Sequence, residues 1–207
     1  YQAAMAAENA RLLEARQEEA YVSAALLQVA QAVVSLNDLD EILTAIVRIT
    51  PMLVGVERCA IFLWDSEEGA FSPGRAYGTP MPTASVASKS FPLLDAVRQQ
   101  GKRVVLDDVS QFEGLIPAHL IDEEQKSSTG RTPTAAPGTV LGVPLTVKGD
   151  VLGVLLVGEG AERRRFDERR LEIITGIAQQ AALAVQNDHL QQEMAERERL
   201  EQELELA

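Results

Sequence analysis

The chain offers very little to do chemistry with: two histidines and one cysteine in 207 residues. A lone Cys59 excludes a disulfide within the chain and any multi-cysteine metal cage, and it fits a reducing cytoplasm. No Ser/His/Asp order, HExxH, CxxC or Walker-type glycine loop is present. Gly138, Gly142, Gly149, Gly153 and Gly158 read as strand and turn glycines, not as a phosphate cradle. The sequence therefore predicts a protein that is not an enzyme and holds no metal, and it names no cofactor. No apolar run approaches the roughly 20 residues that cross a bilayer, and no basic–apolar–small leader opens the chain. Positive charge is also short. A net charge of −12 argues against nucleic acid, because phosphate contacts need a basic face. Much of the acid lies in Glu193 to Glu205, which reads as a solvated helix face.

What is there belongs to a folded protein. An apolar fraction of 46% gives a real core, and the length suits one ordinary domain with long appendages. Residues 3–36 lack Gly and Pro and are rich in Ala, Leu, Glu and Gln, so a long helix is expected from the first residues. The chain thus opens inside a helix, which suggests a piece of something longer. Asp38 followed by Glu41 resembles a capping box and starts a second helix. Leu39, Leu43, Ile46, Ile49 and Leu53 form its stripe, Pro51 should bend it, and Gly55 is placed to end it.

The period then changes. Cys59 to Trp64 is a compact apolar run, followed by a turn at residues 65–69 and a weaker extended stretch to Tyr77. A short helix is expected from Pro92 to Gln100, stopped by Gly101, and a short strand at Val104 to Leu106. Residues 107–138 read as a long irregular loop of the kind that serves as a lid. Val140–Val147 and Val151–Gly158, joined by Lys148-Gly149-Asp150, give the clearest hairpin. A final helix runs from Phe166 to about Leu206, too long for a domain of this size to cover.

The two ends resemble each other. Gln2 to Leu12 aligns without gaps on Gln180 to Leu190, with six of eleven positions identical. Composition alone makes Ala-rich helices look alike. The alternative is that residues 1–16 close a preceding copy of the same domain, at a tandem spacing of 178 residues.

Several segments resemble the GAF family of small-molecule sensor domains: "ERCAIFLWDSEEGAF", "GKRVVLDDVSQF", the hairpin "VLGVPLTVKGDVLGVLLVGE" and the exit helix "FDERRLEIITGIAQQAALAVQNDHL". The resemblance spans about residues 24–190 and implies an α+β fold. A central antiparallel sheet would carry the terminal helices on one face and a ligand pocket on the other, under the long loop. Pocket candidates are Phe62 and Trp64, which the two-residue alternation puts on one strand face, with Asp108 and His119 nearby. Each has an ordinary reading too: core aromatics, a loop cap, an incidental loop histidine. Cys59, in mid-strand, reads as core and not as the thioether cysteine of bilin-binding relatives. GAF-type methionine sulfoxide reductases use several cysteines, which excludes that activity here. The cyclic-nucleotide signature of the family is not recognisable either. The ligand is left unnamed.

"ERERLEQELELA", residues 196–207, resembles the coiled linker before a PPM-type serine phosphatase domain, and similar linkers precede histidine kinases. Leu183, Leu190 and Leu204 share one heptad register, with Met194 in an intervening core position, while Arg197 and Glu201 interrupt it. These readings divide the chain into a linker helix (1–23), a GAF-like domain (24–190) and a coiled-coil output linker (191–207). The expected protein is a cytoplasmic homodimer, paired through its terminal helices and making no membrane contact within this stretch. It would relay a small-molecule or partner signal to an output domain. The alternative is a dimerisation relay that binds no ligand.

Overall fold

The computed structural model describes residues 2–34, 36, 38–107, 138–159 and 166–205. Helix α1 (Gln2–Val34) is continuous, as its lack of Gly and Pro predicts. Helix α2 (Leu39–Val54) begins where Asp38, in extended conformation, accepts the Asp40 N–H at 2.9 Å. It ends at Gly55, whose left-handed φ of 68° lets its N–H reach back to the Pro51 carbonyl. Strand β1 (Arg58–Asp65) turns into β2 (Ala70–Tyr77) with the Asp65 carboxylate accepting the Glu67 and Glu68 amides. A two-residue strand β3 (Val86–Ala87) and a single 3-10 turn (Ser88–Ser90) follow, neither signalled by the sequence. Helix α3 (Pro92–Gln100) starts on proline and stops at Gly101, and β4 is Val104–Leu106.

Strands β5 (Thr139–Val147) and β6 (Asp150–Glu159) form the hairpin read from the sequence. Lys148 (φ 52°) and Gly149 (φ 99°) supply the two positive φ angles that a tight two-residue turn requires. Helix α4 spans Glu168–Glu205. It starts two residues later than the sequence suggests, because Asp167 caps it: its carboxylate accepts the Arg170 N–H at 2.8 Å.

The six strands form one antiparallel sheet in the order β3-β2-β1-β6-β5-β4. Side-chain alternation gives it two cores. Cys59, Ile61, Leu141, Val143, Leu155 and Val157 face the layer of α1, α2 and α4. Ala60, Phe62, Val140, Val154 and Leu156 face α3, which buries Leu93, Leu94 and Val97 on them. Each fully buried side chain of this size contributes about 1.5–3 kcal/mol. Helix α3 can sit this low because Gly142 lies beneath it: a Cβ there would stand 2.7 Å from Val97 Cγ2.

Tyr21 stacks under Arg169, and Leu26 packs on Gly176, so α1 and α4 run side by side in the same direction. Their uncovered parts therefore leave opposite ends of the domain. On α1, Met5 and the described residues from Ala7 to Tyr21 are exposed, and on α4 those from His189 to Leu204 are. Each overhang is roughly 25 Å long at 1.5 Å per residue.

Candidate ligand pocket

On the α3 face of the sheet, the first residues of β1 and the last of β6 leave a cavity of about 50 Å³. Its floor is Ala60 and Phe62 of β1, Val140 of β5 and Leu156 and Gly158 of β6. Phe91, just before α3, closes one side with its ring edge-on to Phe62, the centroids 5.5 Å apart. Thr79 and Pro80, past the end of β2, close another, and Arg58 completes the wall. Arg58 shares its strand face with Ala60 and Phe62 by alternation, and its register partner on β6 is Gly158. Partial burial draws the Arg58 pKa below its ordinary value, against the opposing effect of neighbouring Glu57.

The four pocket candidates from the sequence fare differently. Phe62 lies in the cavity wall. Trp64 shares that strand face but sits further along it, packed on Phe71 with centroids 4.9 Å apart. The Arg98 guanidinium covers the Trp64 ring at 4.2 Å and is held by Asp95 at 2.9 Å. Asp108 and His119 lie outside the described residues, as does the loop at 108–137. Cys59 belongs to the helical core, 1% exposed, where burial pushes its thiol up from 9.0 to about 12. It is a packed thiol, not a nucleophile. Among the described residues, no group of three His, Cys, Asp or Glu side chains could hold a metal.

Arg58 and Phe91 went unpredicted, although a signal for the first exists. The alternation that joins Phe62 to Ala60 reaches Arg58 two residues earlier, a cation on an otherwise apolar strand face. Phe91 gave none, because its place depends on how α3 folds back over the sheet.

The far side of β6 leads to the exit helix. Glu159, next after Gly158 of the cavity wall, pairs with Arg170, whose Nε also donates to the Val54 carbonyl at 2.9 Å. Arg169 lies over the Tyr21 ring at 3.8 Å, and Glu168 accepts from Arg103 at 3.1 Å. Three consecutive residues thus fasten the first turn of α4 to β6, to both other long helices and to the approach to β4. Further along α4, the four residues read as a dimer seam are exposed in the single chain: Leu183 (40%), Leu190 (49%), Met194 (62%) and Leu204 (78%). Among the described residues, no helix is long and apolar enough to cross a membrane.

No curated protein matches the chain. Solved structures match its fold. The GAF domain of an Acinetobacter phosphoenolpyruvate-protein phosphotransferase is 21% identical, with TM-score 0.65, over 80% of this chain and 93% of that one. A methyl-accepting chemotaxis protein fragment, residues 122 to 287, is 20% identical at TM-score 0.60, covering 78% of this chain and 97% of that one. The free methionine-R-sulfoxide reductase of Neisseria meningitidis, solved with its substrate, is 16% identical at TM-score 0.57, over 80% of this chain and 88% of that one. At such identities the likeness is one of fold alone, and the proteins that share the fold range from a chemotaxis protein to a reductase. The GAF domain family itself matches residues 38–185, from the cap of α2 to the last buried turn of α4. That is well over half of the sequence, and the chain belongs to the GAF domain family.

Proposed function

We propose that this GAF domain is a non-catalytic sensory module that pairs through its terminal helices and passes the state of its pocket to an output domain. The observation that carries the reading is the pair of helical overhangs at opposite ends of the domain, joined beside the sheet at Tyr21–Arg169 and Leu26–Gly176. An isolated helix with such an exposed, Leu-spaced end is marginal in water, and a second copy stabilises it. Leu183, Leu190, Met194 and Leu204 form the seam. The pocket lies on the other face of β6 from the Glu159–Arg170 pair, so a ligand that displaces the end of β6 also displaces the first turn of α4. Two helix arrangements of similar energy are then biased by what fills the pocket.

In this reading residues 1–23 are an incoming linker helix, 24–190 the sensory domain and 191–207 the outgoing coiled coil. The domain works in the cytoplasm and binds no nucleic acid. The output is a phosphatase of the PPM type or a histidine kinase, as the resemblance of residues 196–207 suggests. A second reading draws on the small size of the cavity: a relay whose pocket is filled by its own side chains and takes no ligand.

Light scattering on the eluting protein tests the pairing. The expected result is twice the chain mass, reduced to one chain mass by Leu190→Asp with Met194→Asp and with helicity largely kept. A wild-type protein that stays single at high micromolar concentration sinks the dimer. Native mass spectrometry of the purified dimer then separates the sensor from the ligand-free relay.

A further inference from the structure

The likeness between the two ends of the chain extends to which side chains they expose. Met5, Asn9 and Leu12 are spaced four and three residues apart along α1, and so are Leu183, Asn187 and Leu190 along α4. That spacing puts each trio on one helix face, the apolar residues at d positions of a heptad and the asparagine at the a position between them. All six residues are exposed in the single chain.

The two faces also belong together. One heptad before Leu183 the α4 stripe reaches Gly176, and three heptads after Met5 the α1 stripe reaches Leu26. Leu26 and Gly176 are the pair that packs α1 on α4. A heptad stripe drifts by only about 20° per repeat on a straight helix, so it stays on one side over these spans. Where the helices overlap, each stripe is covered by a helix running in its own direction. Beyond the overlap each is bare.

A second copy of the chain suits both bare stripes. A buried asparagine at an a position needs a polar partner in its own layer. In a parallel pair of identical helices that partner is the same asparagine of the other copy, one amide donating to the other's carbonyl oxygen. An antiparallel pair mixes a and d positions in one layer and sets each asparagine against Leu or Met. The charges that follow on α4 agree. Arg197 and Glu201 continue its d and a positions, and a d residue packs against the next a residue of a parallel neighbour. Two Arg197 and two Glu201 then form one cluster of zero net charge.

We infer that two copies pair in parallel and in register, α1 against α1 and α4 against α4, with Asn9 and Asn187 each self-paired across the axis as the lock. The result is a closed two-fold dimer, not an open head-to-tail chain of copies. The inference rests on the pairing proposed above.

The test is cysteine cross-linking of the full chain, with Leu12→Cys and Leu190→Cys as single variants and as a mixture. Cys59 stays in place because it is packed in the core. Mild oxidation should convert most of each single variant into a two-chain species, since facing d positions lie within disulfide reach. In the mixture no bond should join one variant to the other. Bonds formed only between the two different variants mean antiparallel or head-to-tail pairing and overturn the inference. A two-chain mass by light scattering without self-cross-linking at both ends also overturns it and leaves the pairing standing. A single-chain mass with no cross-link of either kind removes the pairing and this inference with it. Adding Asn9→Leu and Asn187→Leu to both variants tests the lock. Bonds between the different variants should then appear, because direction is no longer specified. Their continued absence overturns the role given to the asparagines.

Discussion

Arg170 and Glu159 form an ion pair sealed between the end of β6 and the first turn of α4, their side chains 15% and 5% exposed. The arginine has three partners: it pairs with Glu159, donates to the Val54 carbonyl and lies over the Phe166 ring at 4.9 Å. The carboxylate is served on one oxygen only. Among the described residues, Glu159 Oε2 has no hydrogen-bond partner. Losing the arginine therefore strands a buried charge, which typically costs about 3–5 kcal/mol. Arg170→Met should destabilise the domain by that order in urea unfolding, and adding Glu159→Leu should restore most of it. Arg103→Met is the contrast. Its partner Glu168 is 74% exposed, and such surface pairs contribute less than about 1 kcal/mol. Equal losses in the two single variants would show that burial is not what makes Arg170 matter.

Cys59 turns the same core into an alkaline limit. Its thiol ionises near 12 when folded and near 9.0 when exposed. Between those values the unfolded chain releases a proton that the folded one keeps, so unfolding gains ground as pH rises. The stability linked to Cys59 is full below pH 9 and should fall by about 1.4 kcal/mol per unit above it. Cys59→Ala loses packing at neutral pH but lacks this slope. The difference in unfolding free energy between the two proteins should shrink from pH 9 to 11. A constant difference would mean that the folded thiol ionises normally. At pH 8 the native thiol should also resist a disulfide reagent until urea is added.

Most of the frame was legible because it rests on local signals. Asp38, Gly55, Gly101 and the Lys148–Gly149 turn each sit where a cap or a positive φ must fall. Alternation along β1 placed Phe62 and Trp64 on one face, and it also contained Arg58. What stayed hidden depends on contacts distant in sequence. Phe91 reaches the pocket only because α3 folds over Gly142, and Trp64 is drawn away from it by Arg98 and Phe71. The two-residue β3 is too short to show a period, and it forms because β2 offers it an edge at Ala70 and Phe71.

Gly153 is a glycine for want of space. It lies on β6 opposite Leu63, and a Cβ there would stand 2.4 Å from the Phe62 carbonyl oxygen and 3.2 Å from Leu63 Cα. Both are backbone atoms of the paired strand and cannot rotate away. Gly153→Ala must push β1 and β6 apart beside the pocket, at a cost of about 1–3 kcal/mol. The expected outcome is a lower urea midpoint with faster amide exchange along β1. Unchanged exchange at Phe62 and Leu63 would show that the sheet absorbs the methyl elsewhere.

Asp95 gives the fold its acid sensitivity on the α3 side. The Ser88 hydroxyl, its strongest influence, holds the carboxyl below its ordinary range; burial opposes this and Arg98 and Gln99 add to it. A lowered carboxylate pKa contributes stability that is present above the unfolded value and lost as pH falls through the folded one. The wild type should therefore exceed Asp95→Asn in stability at neutral pH, and the two should converge as pH drops below about 4. Trp64, the only tryptophan, reports the event directly because Arg98 reaches its ring from the Asp95 carboxylate. When that carboxylate is protonated or replaced, Arg98 loses its anchor and Trp64 emission should change before the domain unfolds. Asp95→Asn should show the altered emission already at neutral pH and no further step in acid. An acid step of equal size in both proteins would assign it to another carboxylate.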